Sequence, residues 1–273
     1  MTGTAFDWGP LLEGGPLFLG ILNLTPDSFS DGGRYVEPAA ALSQAHRLVA
    51  AGARMLDLGA ESTRPGSVVV EAATEWGRLE PALAALTEAL PHIPLSLDTR
   101  HATVAARGLA AGASVLNDVD GFADPGMLDL AAGSRCGLIA MRSRRLGAGF
   151  LMPPYGDPAP KEATSALAEL VAVRDRLLTA GIAAERVLLD PGFGFGTSFM
   201  EDLALWKALP RVPEALAWPV DRICIGISRK RFLATRAGTP GLPPDQRDAL
   251  TAAAHSEAIG WGYRVFRTHA LPG

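Results

Sequence analysis

Eight short apolar runs, separated by seven stretches with helical periodicity, constrain this chain more than any other feature. The runs are Pro16–Leu24, Arg54–Leu58, Ile93–Asp98, Ser114–Asn117, Cys136–Met141, Arg186–Asp190, Arg222–Ile227 and Arg264–Arg267. The helical stretches are Ala39–Ala51, Thr74–Leu90, Ala102–Ala111, Pro125–Ala132, Lys161–Ala180, Glu201–Ala208 and Pro244–Ile259. Gly52, Gly112 and Gly181 stand just past three of them, as helix stops should. Such alternation predicts a parallel sheet with helices outside. Eight units in 273 residues favour a closed (β/α)8 TIM barrel over an open doubly wound sheet. No composition shift or Ser/Gly-rich linker divides the chain, so residues 1–273 are expected to form a single domain. The segment before Pro16, with Phe6, Trp8, Leu11 and Leu12, is expected to plug the barrel bottom. A barrel ordinarily closes with a helix after its eighth strand. The sequence past Arg267 offers none, so the last helix is expected to be lacking.

Composition narrows the function. Hydrophobic residues make up 48% and charged residues 20%, which suits a folded globular chain and excludes intrinsic disorder. The net charge of −4 gives no reason to expect nucleic acid or a membrane surface as partner. Cys136 and Cys224 are the only cysteines, which excludes a disulfide framework or a Cys-rich zinc site and fits a reducing compartment. Met1–Pro10 shows no charged leader before an apolar core, and no apolar run approaches the roughly 20 residues of a membrane span. The expected location is the cytoplasm.

In parallel α/β folds the chemistry lies at the C-terminal ends of the strands. All eight ends are polar here. They carry Asn23 with Asp27; Asp57 running into Glu61-Ser-Thr-Arg-Pro-Gly66; Asp98-Thr99; Asn117-Asp118; Met141-Arg142; Asp190-Pro-Gly-Phe-Gly-Phe-Gly196; Ser228-Arg-Lys230; and Arg267-Thr-His269. Asp98, Asn117 and Asp190 are acceptors or mixed amides that suit the donor-rich edge of a flat heterocycle such as an amino-pyrimidinone. Arg64, Lys230, Arg267 and His269, with the N–H groups of Gly-rich turns, suit phosphate or pyrophosphate. Asn23 and Asp27 could add oxygen ligands for a Mg²⁺ that arrives with the phosphates. A site for a ring beside a site for pyrophosphate suggests group transfer with pyrophosphate leaving. Two long strand-end loops, Thr25–Pro38 and Gly59–Ala73, read as lids.

Blander readings stand beside these. Asp190 could cap its turn, and Asp57 could bond inside the barrel mouth without touching a substrate. Alternation along a persisting strand would make Arg229 structural while Lys230 faces the site. Arg142, Arg144 and Arg145 read first as a solvated loop, and second as a steering patch for an anion. Phe193 and Phe195, alternating with glycine, read as pocket-lining rather than core. The Gly-Phe-Gly-Phe-Gly string lacks the spacing of a dinucleotide fingerprint.

Gly20-Ile-Leu-Asn-Leu-Thr-Pro-Asp-Ser-Phe-Ser-Asp-Gly-Gly33 and Leu56-Asp-Leu-Gly-Ala-Glu-Ser-Thr-Arg-Pro-Gly66 resemble the two signatures of the dihydropteroate synthase family of pterin-binding enzymes. The likeness continues in order through the remaining strand ends to His269. It implies a (β/α)8 barrel and a transferase. In that reaction 6-hydroxymethyl-7,8-dihydropterin pyrophosphate condenses with p-aminobenzoate to give dihydropteroate and pyrophosphate, in folate synthesis. It also implies that Asp98, Asn117, Asp190 and Lys230 hold the pterin, with Met141 among the substrate-facing residues. Asn23, Arg267 and His269 would hold the pyrophosphate with Mg²⁺, Asn23 being the metal ligand. Thr63 and Arg64 would sit on the second loop. Phe29, Pro65, Phe193, Phe195, Ser228 and Lys230 would form the p-aminobenzoate pocket, which sulfonamides also occupy. Asp98, Asp190, Lys230, Arg267 and His269 are the residues expected to carry catalysis.

The sequence departs from the family pattern in three places. Thr197 stands where a Lys commonly follows Gly-Phe-Gly, Arg142 where Met-His is common, and Ala270 where an Asp commonly follows Arg-x-His. The final helix helps form the family's homodimer, so a dimer is an open expectation. The departures also keep open a non-catalytic or altered pterin-binding paralogue. A pterin-dependent methyltransferase ranks lower, because it has no need of Ser62–Gly66 or of the Arg267/His269 pair.

Overall fold

The computed structural model describes residues 4–25, 38–61, 69–146, 149–150 and 163–271. A short helix α1 (Gly9–Leu12) leads into β1 (Leu17–Asn23), α2 (Pro38–Ala50), β2 (Met55–Gly59), α3 (Ala72–Ala89) and β3 (Leu95–Asp98). Then come α4 (Ala102–Ala110), β4 (Val115–Asp118), α5 (Pro125–Gly133) and β5 (Gly137–Met141). A small antiparallel hairpin follows, β6 (Arg145–Leu146) with β7 (Gly149–Phe150). The chain goes on through α6 (Ala163–Thr179), β8 (Val187–Asp190), α7 (Phe199–Ala208), α8 (Val212–Ala215) and β9 (Cys224–Ile225). It ends with α9 (Arg231–Arg236), α10 (Asp248–Gly260) and β10 (Val265–Thr268).

Eight strands form one parallel sheet in the order β8-β5-β4-β3-β2-β1-β10-β9. A parallel bridge between Leu189 and Ile223 joins the two outer strands and closes the sheet into the expected barrel. Each strand is covered on both faces, which is why the sequence shows unbroken apolar runs rather than alternation. The larger core cluster lies between sheet and helices. A second fills the barrel bottom from Leu17, Leu19, Met55, Val115, Ile139, Leu188, Cys224 and Val265. Trp8 is fully buried in that cluster, Phe6, Leu11 and Leu12 pack against it, and Trp8 Nε1 donates to the Arg186 carbonyl at 2.9 Å. The plug read from sequence is therefore present.

Several local features differ from expectation, among them the β6–β7 hairpin and the short helices α1 and α8, which the sequence pattern did not show. The seventh barrel strand covers only Cys224–Ile225, not Arg222–Ile227, because Val220–Arg222 forms a 3-10 turn and the chain then leaves the ladder at Gly226. A Cβ on Gly226 would lie 2.8 Å from Asp190 Oδ2, so this glycine makes room for a buried carboxylate. The six-residue α9 was invisible to periodicity, being too short to show it, yet it buries Phe232, Leu233 and Ala234. The predicted start of the long helix at Lys161 lies outside the described residues.

Candidate active site

Asp57 is the hub of the barrel mouth. It lies inside β2, is fully buried, and accepts from Ser96 Oγ at 2.6 Å, from Asn117 Nδ2 at 3.2 and 3.3 Å, and from Arg267 Nε. Arg267 Nη2 also donates to Asp98 Oδ2 at 2.5 Å. One guanidinium thus ties β10 to the ends of β2 and β3. Burial opposes the charge of Arg267, and Asp57 and Asp98 more than offset it, so the group stays protonated. Burial raises the Asp98 pKa against the pull of Arg267. Asn117 spends its amide N–H on Asp57, which leaves its Oδ1 to accept from a ligand.

Asp190 closes the opposite side. Its Oδ1 accepts the Gly192 N–H at 2.7 Å, so the capping role weighed from sequence is real. Its Oδ2 is the atom for which Gly226 leaves space. Burial pushes its pKa up to about 6, against the Gly192 N–H and the cations Arg267, Lys230 and Arg142. Lys230 places Nζ 3.9 Å from the centre of the Phe195 ring, a cation–π contact. Burial and the nearby Arg267 lower its pKa to about 8, while Asp190, Asp202 and Asp98 hold it up. Phe195, Val119 and Met141 form a small apolar cluster of their own beside these charges.

The strand-seven and strand-eight ends meet through Ser228. Its Oγ accepts the His269 N–H at 3.1 Å and lies 3.0 Å from His269 Nδ1. Arg267 and His269, expected to act together, therefore turn to different partners. Within the ion pairs, Arg267 Nη1 is the guanidinium nitrogen that neither carboxylate engages. Arg229 has a left-handed backbone (φ 59°) and a bidentate pair with Asp248 at 2.7 Å, so it is structural. The reason is the turn, not the alternation expected of a persisting strand. Asn23 ends β1, half-buried, opposite Gly59.

Two sequence expectations need correction. Phe193 is not pocket-lining. Its ring is fully buried, stacked on Phe232 at 6.0 Å and edge-on to Trp206. Arg142 and Arg144 form neither a solvated loop nor a steering patch. Arg142 is 1% exposed and donates to the Pro191 and Gly192 carbonyls and to Glu169. Arg144 donates to the Gly196 carbonyl, Glu169 and Glu201. Two arginines therefore clamp the Gly192–Gly196 turn, and their acidic partners, far off in sequence, gave no local signal. Phe29, Thr63, Arg64 and Pro65, like Asp27, lie outside the described residues. The second long loop is fastened at its ends: Glu61 accepts the Val70 N–H at 3.0 Å and a bidentate pair from Arg100 at 2.8 and 3.0 Å. Asp57, Ser96 and Val119 complete the mouth, although the sequence reading did not place them among the site residues. For Asp57 the signal was an acid inside an otherwise apolar strand.

A buried rank of acceptors, a lysine over an aromatic ring and an arginine held by two acids thus meet at the C-terminal mouth of a parallel α/β barrel, the architecture of a barrel enzyme. The model of the family described as pterin binding enzyme matches residues 19–269, so the chain belongs to that family. It is 38% identical over 260 residues to the dihydropteroate synthase of Mycobacterium leprae, covering 92% of this chain and 88% of that one. Among solved structures, the Xanthomonas albilineans dihydropteroate synthase with 4-aminobenzoic acid superposes with a TM-score of 0.81 at 37% identity, covering 93% of this chain and 88% of that one. The Burkholderia cenocepacia enzyme complexed with 7,8-dihydropteroate gives 0.78 at 38% identity, covering 94% and 86%. Among the described residues no helix is long and apolar enough to cross a membrane.

Proposed function

We propose that this chain condenses 6-hydroxymethyl-7,8-dihydropterin pyrophosphate with p-aminobenzoate to give dihydropteroate and pyrophosphate. The observation that supports this reading is the setting of Asp98 and Asp190 about Lys230, with Asn117 next to Asp98 on the adjoining strand and the Phe195–Met141–Val119 wall beside them. In it, Asn117 Oδ1 and the Asp190 carboxylate accept from the amino-pyrimidinone edge. Desolvating those acceptors has a cost already met in folding, so a ring with matching donors recovers it. Lys230 takes a ring acceptor, and Phe195 offers a face to the aromatic amine. Phe29, Thr63, Arg64 and Pro65 enter the proposal only through the family resemblance.

The reaction breaks the C–O bond between the pterin methylene and pyrophosphate, and forms a C–N bond to the amine. As the first bond lengthens, positive charge grows on the methylene and ring, where Asp98 and Asp190 stabilise it. Arg267 Nη1 and His269 meet the leaving anion. The amine nitrogen is a weak nucleophile and needs placement more than a base; after attack its proton passes to the departing pyrophosphate or to solvent. The displacement is therefore dissociative. An α-secondary deuterium effect at the methylene should exceed unity, and a value at unity would overturn that step.

No group of three metal-ligating side chains occurs among the described residues, so Mg²⁺ would have to arrive with the phosphates. Asn23 offers one hard amide oxygen, whereas Asp57 on the neighbouring strand and Asp98 are committed to Arg267. Bound by Asn23 and the diphosphate oxygens, the ion would neutralise the leaving group. All the groups named come from one chain, so the proposal requires no second copy. Cys136 and Cys224 are both buried and free, which supports the cytoplasm as the place of work.

Pyrophosphate release tests the reading. It should require p-aminobenzoate and disappear in Lys230→Ala. Absence of release while a pterin still binds would favour the non-catalytic paralogue, the alternative motivated by Thr197, Arg142 and Ala270.

A further inference from the structure

Asp202, on the first turn of α7, is fully buried and set behind the Gly192–Gly196 turn. Its Oδ1 accepts the Thr197 hydroxyl at 2.6 Å and the Gly194 N–H at 3.0 Å. Its Oδ2 is buried with no hydrogen-bond partner among the described residues. Such an oxygen is costly to bury, and a proton placed on it would find no acceptor. Burial raises its pKa to about 6, against the Thr197 and Gly194 bonds and the cations Lys230 and Arg142, so the carboxylate is mostly ionised at neutral pH. Gly194 is the shared element. It bonds Asp202 through its N–H, while a Cβ on it would stand 3.4 Å from Lys230 Cδ and 3.8 Å from Nζ. The backbone of one glycine therefore separates a buried carboxylate from the site lysine. Thr197 brings only a hydroxyl, so the carboxylate's charge is left to Lys230 and Arg142.

We propose that Asp202 is a positioning residue, which keeps Lys230 an ammonium over the Phe195 ring by setting a fixed negative charge behind the Gly194–Thr197 turn. The groups that face Lys230 are Asp190 from β8, Asp98 from β3, Arg267 from β10 and Asp202 from α7. Arg267 opposes its charge, so the acids decide its state at neutral pH. Asp98 is tied to Arg267 and Asp190 to the Gly192 N–H, whereas the second oxygen of Asp202 is sealed from solvent with no hydrogen-bond donor among the described residues. The inference rests on the proposed reaction only for its consequence, and its test does not need activity.

Lys161, Lys207 and Lys230 are the only lysines in the chain. Reductive ¹³C-methylation of the full-length protein therefore gives three lysine signals besides the N-terminus, and loss of one in Lys230→Arg assigns Lys230. Asp202→Asn keeps an oxygen for Gly194 and Thr197 but removes the charge. The Lys230 signal should then titrate at lower pH by roughly half a unit or more, the sign expected when a neighbouring anion is lost. Thr197→Val, which deletes the hydroxyl and not the charge, should leave that titration where it is. Asp202→Ser serves the same purpose if Asp202→Asn does not fold, and should shift the signal the same way. An unmoved Lys230 titration in a folded Asp202 variant would overturn the proposal. If the wild-type chain releases no pyrophosphate but the titration shifts, the reaction assigned to the site fails and this inference stands.

Discussion

Replacing Asp57 by Asn is the sharpest perturbation of the mouth, because it changes one atom in a fully buried group that takes three neighbours. Oδ1 receives Ser96 and Asn117, and Oδ2 receives Asn117 and Arg267. An amide has one oxygen for these donors. If that oxygen faces Arg267, the new NH2 faces Ser96 and the Asn117 amide. Ser96 can rotate to accept, but Asn117 must turn over, presenting NH2 where it had offered Oδ1 to the ligand. Removing one partner of a buried ion pair costs about 3–5 kcal/mol. Arg267 keeps Asp98 and is 21% exposed, which places the loss near the lower end, about 3 kcal/mol. Each kcal/mol is worth roughly 2–4 °C in a chain of this size, so the melting temperature should fall by about 6–12 °C. Calorimetry with dihydropteroate should show weakened binding in the same variant. A melt within about 1 °C of wild type and an unchanged Kd would refute the reasoning, because Asp57 would then hold neither Arg267 nor Asn117.

Three further outcomes follow from the same geometry. The kcat/KM profile should be bell-shaped: Asp190 gains a proton as the pH falls through about 6, and Lys230 loses its charge as the pH rises through about 8. Lys230→Arg should move the alkaline limb alone to higher pH, and a flat profile across this range would contradict both assignments. Phe193→Ala should cost about 3–5 kcal/mol of stability in denaturant melts, whereas Phe195→Ala should mainly raise KM for p-aminobenzoate. The reverse pattern would mean that the two rings have been assigned to the wrong sides. Gly226→Ala should displace the Asp190 carboxylate and weaken pterin binding by roughly tenfold, about 1.4 kcal/mol, with the fold intact by circular dichroism. Wild-type affinity in that variant would show that the carboxylate position is not critical.

Much of the fold was legible because parallel strands covered on both faces must be apolar throughout, and a helix must stop where a left-handed residue is supplied. Gly52 and Gly112, at φ 105° and 108°, mark such stops. What failed to show was set by distant partners. The seventh strand ends at Ile225, and the next residue, Gly226, lies against the Asp190 side chain from β8, a neighbour the local sequence does not announce. Asp98, Asn117 and Asp190 were legible as polar residues ending apolar runs. Phe193 and Phe195 were not separable, because Gly192, Gly194 and Gly196 all have φ near +70° and strand alternation does not apply across them. Arg142 and Arg144 were misread because Glu169 and Glu201, which fix them, lie on α6 and α7. Asp57 was left between two readings because its bonds run to β3, β4 and β10, a set that only closure of the barrel brings together.

The most direct test of the central claim is the product itself. Purified chain would be incubated with Mg²⁺, 6-hydroxymethyl-7,8-dihydropterin pyrophosphate and p-aminobenzoate, and the quenched mixture would be weighed by mass spectrometry. The account predicts dihydropteroate in many-fold excess over protein, with none formed by Lys230→Ala. Bound pterin with no dihydropteroate above the uncatalysed background would contradict it, and would make this barrel a pterin-binding protein without the transfer.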